Sequence, residues 1–263
     1  MKRMLASLVL VAAALAGCAK NSSMTGLQGH LLIIGGGLDD DNKPVYERFI
    51  TLASQASPDG VPRIVIATAA SGDQEANDKG KRESIGAYSA IAKIDCIRRE
   101  TSTEETVALI DQASAMFFTG GDQKRITTRY LTSEGEDTPE SLAMRRLLTR
   151  DGVIAGTSAG DAMMSDPMFL TGRSTEALGF TPAKPPSPDD TPSHPGPQIG
   201  TGMALLPKGW AIADSHFAQR NRMGRLVAAL EVSGVRYGLG VSENAAVEVD
   251  LATGRVVGLT EAP

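Results

Sequence analysis

Residues 153–160 read Val-Ile-Ala-Gly-Thr-Ser-Ala-Gly, a G-x-S-x-G run between a short apolar stretch and the helix-forming Asp161-Ala162-Met163-Met164. A strand-to-helix turn at this point would lift Ser158 clear of a sheet and expose its hydroxyl for attack on a carbonyl. A serine hydroxyl is a weak nucleophile until a base takes its proton, and that base must itself be oriented. The pattern is short. A Gly-rich turn with a capping serine remains the alternative until such partners are found.

The search for a base is brief, because the chain has three histidines: His30, His194 and His216. His30 precedes an apolar run, and His194 stands among prolines in Thr191-Pro192-Ser193-His194-Pro195. His216 follows the strand-like Gly209-Trp210-Ala211-Ile212-Ala213, beside Asp214 and ahead of Arg220, Arg222 and Arg225. A histidine at a strand end, next to an acid and three arginines, is a site-like cluster; a solvated basic loop is the plainer alternative.

Four blocks then carry a resemblance. Gly120-Gly121-Asp122-Gln123, Gly156-Thr157-Ser158-Ala159-Gly160, and Asp214-x-His216-Phe217-x-x-Arg220-x-Arg222-x-x-Arg225 resemble the signature blocks of cyanophycinases. Gly238-Leu239-Gly240-Val241-Ser242-Glu243-Asn244-Ala245-Ala246 is similar to the C-terminal part of that family. Together the blocks span about residues 30 to 260.

The resemblance implies a serine peptidase related to aspartyl dipeptidases, on a class I glutamine-amidotransferase-like, flavodoxin-like three-layer scaffold. Its substrate would be cyanophycin, a poly-aspartate backbone with arginine on the side-chain carboxyls, cut to β-aspartyl-arginine. Ser158 would be the nucleophile and His216 its general base. The family's third member is an acid some eighteen residues past the serine, where Glu176 stands. Asp161, Asp166 and Asp214 are also near in sequence. By the same resemblance Gln123 contacts substrate, and relatives are often dimers.

Physical chemistry gives the remaining blocks their expected roles. Gly120-Gly121 follows the strand-like 115–119, and residues without side chains let backbone amides approach an oxyanion, so the Gly121 and Ala159 amides are expected to form an oxyanion hole. Arg220, Arg222 and Arg225 suit bidentate binding of carboxylates on the aspartyl backbone; a structural salt bridge is the alternative for Arg225. Three departures bear on substrate choice: Ser215 replaces the family's glutamine, Asn221 its glycine, and Asp161 a small apolar residue. Asp214 and Ser215 are expected at the substrate surface.

The N-terminus bears on location. Met1-Lys2-Arg3 is a positive region, residues 4–14 are apolar, and Leu15-Ala16-Gly17-Cys18 resembles a bacterial lipobox. Residues 1–17 are therefore expected to be a cleaved lipoprotein signal peptide too short to span as a permanent helix. Cys18 is the expected lipid anchor and 18–29 the tether, with an outer-membrane, periplasmic or extracellular setting. A chance Leu-Ala-Gly-Cys in an ordinary signal peptide is the alternative. Cys96 is then the remaining cysteine, which leaves no partner for a disulfide.

The whole chain carries 26 basic and 31 acidic side chains, a net charge of −5. Loss of Lys2 and Arg3 makes it more acidic, which argues against nucleic acid as a partner. No His-x-x-x-His or Glu-x-x-His spacing offers a metal, and no cofactor is expected. Gly35-Gly36-Gly37 could suggest a nucleotide loop, yet Asp40 fills the place of the last glycine in G-x-G-x-x-G, and Asp39, Asp40 and Asp41 would repel phosphate.

Apolar runs at 31–34, 61–67, 94–97, 115–119, 153–155, 210–213 and 236–241 alternate with helical stretches near 43–56, 73–92, 103–113, 122–131, 138–149, 159–165 and 217–231. That alternation predicts a single α/β domain over 30–263: a doubly wound, mostly parallel sheet with helices on both faces. Ligands bind such sheets beyond the strand C-termini, where Gly35, Thr119, Gly156 and Asp214 would gather. Residues 245–249 and 255–259 predict a terminal hairpin. Seven prolines in 181–198 exclude a helix or central strand and predict an extended loop, either a lid or a surface insertion. The rival functions are an aspartyl or isoaspartyl dipeptidase and a non-catalytic peptide-binding lipoprotein.

Overall fold

The computed structural model describes residues 10–12, 26–177 and 197–260. The rest of the expected signal peptide, Cys18 and most of the tether and of the proline-rich segment lie outside the described residues.

The elements in chain order are β1 (Leu10–Ala12), β2 (His30–Ile34), α1 (Lys43–Gln55), β3 (Arg63–Ala67), α2 (Gln74–Tyr88), β4 (Lys93–Ile97), α3 (Thr103–Gln112), β5 (Ala115–Phe118), α4 (Gln123–Tyr130) and α5 (Pro139–Thr149). There follow β6 (Val153–Thr157), α6 (Ala159–Ala162), β7 (Met168–Thr171), α7 (Ser174–Ala177), β8 (Gln198–Gly200), β9 (Ala211–Asp214), α8 (Met223–Ser233), β10 (Tyr237–Gly240), β11 (Ala246–Asp250) and β12 (Val256–Leu259). Helix starts are fixed by side-chain caps: Asn42 accepts from Val45 N, Asp73 from Ala76 N, Ser102 from Glu105 N and Thr138 from Ser141 N. Each supplies an acceptor for an amide that has no carbonyl one turn behind it.

The main sheet has seven strands in the order β12-β11-β2-β6-β5-β3-β4. The run from β2 to β4 is parallel throughout, and the hairpin β11–β12 adds antiparallel to the outside of β2. Alternate residues of each strand serve opposite layers. Leu32 and Ile34 pack with Tyr46, Phe49, Leu52 and Ile85 of α1 and α2. Leu31 and Ile33 pack with Tyr130, Met144, Leu147 and Met163 from α4, α5 and the segment after α6. Burying both faces of a parallel sheet is the three-layer solution the alternation predicts.

Two placements differ from the sequence expectation. The runs near 210–213 and 236–241 do not join the main sheet: β9 and β10 pair in parallel with one another, and β1 adds antiparallel to β10. The reason is edge occupancy, since β11 takes the free side of β2 with Val247 opposite Ile33. The second difference is the helix expected over 217–231, which begins at Met223. Residues 217–222 instead form turns, with His216 at φ +47° and Asn221 at φ +49°. β7 and β8 pair antiparallel as a two-stranded sheet of their own. Cys96, expected to be buried, is half-buried because β4 is an edge strand.

Candidate active site

Ser158 follows β6 and starts α6 with φ +56° and ψ −104°, a conformation that a side-chain-bearing residue rarely adopts. The turn is held from both sides. Ser158 N–H donates to Ile34 O of the neighbouring strand, and the Asp161 and Ala162 amides donate to Ser158 O. The two glycines of the motif make the turn possible: a Cβ on Gly156 would lie 2.2 Å from Gly160 O, and one on Gly160 would lie 2.8 Å from Phe118. Only backbone fits between β6, α6 and β5. The Ser158 hydroxyl makes no cap bond to its own helix and points to the histidine.

His216 reaches it from the second sheet. Its N–H donates to Gly35 O over 2.6 Å, which ties the end of β9 to the end of β2. The imidazole lies against Gly36, where a Cβ would meet Cε1 at 2.3 Å. Here the triple glycine finds its use: it makes room for a histidine ring, and no nucleotide loop is needed to explain it. Nε2 of His216 lies 2.8 Å from Ser158 Oγ, and Nδ1 lies 2.6 Å from Glu243 Oε1.

The acid on His216 is therefore Glu243, not Glu176. Glu176 belongs to α7, and both ring nitrogens of His216 are already engaged. Glu243 sits in the turn between β10 and β11 and is anchored through its neighbours. Its N–H donates to Gln219 Oε1, while the Asn244 side chain bridges to Asp39 and Asn42 ahead of α1. The signal was present in the sequence, in the block Val241-Ser242-Glu243-Asn244 after a strand-like run. What could not be read there is that β10 returns beside β9, which brings residue 243 next to residue 216.

The hydrogen-bonded chain Ser158–His216–Glu243 can move a proton off the serine and place the resulting positive charge beside a carboxylate. Burial lowers the His216 pKa below the ordinary imidazole value; the Glu243 hydrogen bond opposes this, and Arg220 and Arg222 reinforce it. The ring is thus neutral, with a lone pair for the serine proton, over the range around pH 7.

A cavity of about 870 Å³ opens over Ser158. Gly121 and Ala159 form its wall beside the serine, and Ala159, as first residue of α6, has an amide with no carbonyl one turn behind it. Gln123, also on the wall, is committed in part to structure: its Nε2 donates to the carbonyls of Phe169 and Leu170 and pins β7. Arg173, Arg220, Arg222 and Arg225 line the cavity, and among the described lining residues there is no carboxylate. Ser215 lines it too, with its carbonyl and hydroxyl accepting from Arg222 Nη1.

Asp214, expected at the substrate surface, is instead 1% exposed beneath the arginines. Its carboxylate takes Arg225 Nε at 2.8 Å and Arg225 Nη2 in a bidentate pair, with Arg222 Nη1 at 3.3 Å. Arg225 also donates to Gly172 O and lies 4.4 Å over the Phe169 ring, so it is a buried structural arginine that shows one edge to the cavity. Arg220 stands exposed at the rim. Among the described residues no group of three His, Cys, Asp or Glu side chains gathers as a metal site would.

No protein-family model matches the chain. Curated relatives do: it is 34% identical over 149 residues to the cyanophycinase of a Nostoc species, covering 56% of this chain and 43% of that one. A cyanophycinase of Synechococcus elongatus is 29% identical over 164 residues, covering 61% of this chain and 44% of its own. The alignment with that of Geminocystis herdmanii is longer, at 28% identity over 226 residues, covering 83% and 73%. The chain is thus similar in sequence to cyanophycinases. It spans less than half the length of the first two relatives. In three dimensions it resembles a peptidase from an acI-B1 Actinobacterium, with a TM-score of 0.61 at 17% identity, covering 90% of this chain and 93% of the other. A putative peptidase E protein of Listeria monocytogenes gives a TM-score of 0.56 at 10% identity, covering 89% and 100%. These two share the three-layer α/β fold.

Proposed function

We propose that the chain is a serine-type peptidase that hydrolyses cyanophycin to β-aspartyl-arginine, with Ser158, His216 and Glu243 as its catalytic triad. The observation that carries the reading is the hydrogen-bonded chain through His216 to a serine held on a strained elbow under an arginine-lined cavity. Ser158 Oγ attacks the scissile carbonyl as His216 Nε2 takes its proton, and the Gly121 and Ala159 amides stabilise the oxyanion. His216 then protonates the leaving amine, and water repeats the sequence on the acyl-enzyme.

The arginines orient the substrate by its carboxylates. In a β-aspartyl-arginine unit arginine is joined through its α-amino group, so its α-carboxylate is free to meet Arg220 or Arg222. The similarity to cyanophycinases favours this substrate over a short α-linked aspartyl peptide.

Attachment through a lipidated Cys18 belongs to the same proposal. The described chain resumes at Gly26, and the Gln28 and Gly29 amides donate to Leu148 O at the N-terminal end of the parallel strands.

The test is incubation of the mature soluble form with cyanophycin granules and, separately, with α- and β-linked aspartyl peptides, products being identified by mass. Release of β-aspartyl-arginine that disappears in Ser158→Ala is expected. Cleavage of α-linked peptides alone would replace the reading with a dipeptidase, and binding without turnover would replace it with a receptor.

A further inference from the structure

Asp161, three residues past the nucleophile, has a side chain with no exposure, and neither carboxyl oxygen has a hydrogen-bond partner. An ionised carboxylate is disfavoured in this setting, because burial without a donor or paired cation opposes loss of its proton. Burial, reinforced by the nearby Asp214 charge, raises the Asp161 pKa well above the ordinary value and favours the neutral acid. The surrounding charges are few. Asp214 approaches from β9, Arg222 from the turn after His216 and Arg225 from α8. β6 carries no ionisable side chain, and His30 of β2 lies at the far end of its strand against Glu248. On α4, Arg125 and Arg129 are turned to the carbonyls of residues 70–71 and 99–101, and Lys124 is exposed.

This arrangement makes a charge balance. Asp214 is consumed by the bidentate Arg225, with Arg222 held by one longer contact. Arg222 faces the cavity with its charge compensated only in part, and desolvation has already lowered its pKa to about 10. We propose that Asp161 sets the carboxylate affinity of the cavity: as the neutral acid it leaves the Arg222 charge available to a substrate carboxylate, and as the anion it cancels that charge from below. The proposal rests on reading the cavity as the substrate site, and it makes Asp161 a specificity-determining residue that acts through Arg222. An apolar residue at 161 would fix the cavity in its carboxylate-binding state, whereas aspartate makes binding depend on a proton. The sign follows directly: affinity is full below the raised Asp161 pKa and falls as pH climbs through it.

The test measures binding in the Ser158→Ala full chain, so that it does not depend on turnover. Succinate serves as dicarboxylate probe and succinamide as its uncharged counterpart, titrated by calorimetry from pH 7 to 9, above the range in which succinate and His216 titrate and below that in which Arg222 loses its charge. Succinate affinity is expected to fall at least tenfold across that range, and Asp161→Asn is expected to abolish the fall while keeping the tight limit. Thermal unfolding checks that Asp161→Asn is folded, and Asp161→Ala must reproduce the same flat profile. The proposal is overturned if the fall persists unchanged in Asp161→Asn, if affinity is flat in the Asp161 protein, or if succinamide binds as well as succinate. Failure of cyanophycin hydrolysis in the Ser158 enzyme would instead count against the proposed substrate and leave this binding result standing.

Discussion

Replacing Glu243 with glutamine is the sharpest test of the triad, since the geometry assigns this acid against the sequence expectation. The bond from His216 Nδ1 to Glu243 Oε1 is 2.6 Å, short as charge-assisted bonds are. Glutamine keeps the shape but offers two outcomes, both harmful. If its amide nitrogen faces Nδ1, the ring is forced into the tautomer that cannot accept the Ser158 proton. If its oxygen faces Nδ1, the tautomer survives but the imidazolium forms without a facing charge. For a buried acid this change costs about 10⁴-fold in kcat. The Glu243 side chain is 35% exposed, so water partly replaces the lost charge. A loss of about 10² to 10³-fold in kcat is expected, or roughly 3–4 kcal/mol of transition-state stabilisation. The assay is steady-state release of β-aspartyl-arginine, with Glu176→Gln in parallel and thermal unfolding of both variants. The reasoning is refuted if Glu243→Gln stays within about threefold of the parent kcat, or if Glu176→Gln is the variant that collapses.

The pH profile gives a second expectation. Arg220 lowers the His216 pKa, so Arg220→Ala should move the acid limb of kcat/KM to higher pH, while Glu243→Gln, which removes an opposing influence, should move it lower; opposite displacements would refute the assignment of His216 as base. Gly36→Ala places a methyl 2.3 Å from His216 Cε1 and should cost on the order of 10²-fold or more in kcat, because displacement of a catalytic group by about 1 Å is enough. A near-parental rate would show that the ring does not need that space. Asp214→Ala leaves the guanidinium of Arg225 buried and unpaired and should destabilise the fold by about 3–5 kcal/mol in urea unfolding. Asp214→Ala with Arg225→Met should recover part of that loss, and no recovery would count against the pair as its origin.

The alternation of apolar runs with capped helical stretches was enough to predict a parallel α/β layer, because each strand buried on both faces must read as a continuous apolar segment. Ser158 was legible for a local reason: its turn needs glycine on either side, and that need is written into five adjacent residues. His216 was legible by elimination and by its charged neighbours. Glu243 was not, since an acid is common and nothing local marks the one that will face a histidine. Its role depends on β9 and β10 pairing with one another outside the main sheet, which follows from the terminal hairpin having taken the edge of β2.

The arginines divide along the same line. Their types and spacing announced a carboxylate-binding cluster, but a sequence does not say which guanidinium is already spent. Only the packed structure places Asp214 under Arg225, turns Gln123 toward β7 and leaves Arg220 at the rim. Asp161 shows the limit most plainly. In sequence it is one more acid after an elbow; in the fold it is a carboxyl without a partner, because α6 packs against β6 and β9 and closes water out. Sequence determined the elements and the nucleophile's turn, since both are set by neighbours along the chain. Tertiary structure decided the acid, the charge balance and the shape of the cavity, since those are set by residues that meet only when distant segments pack.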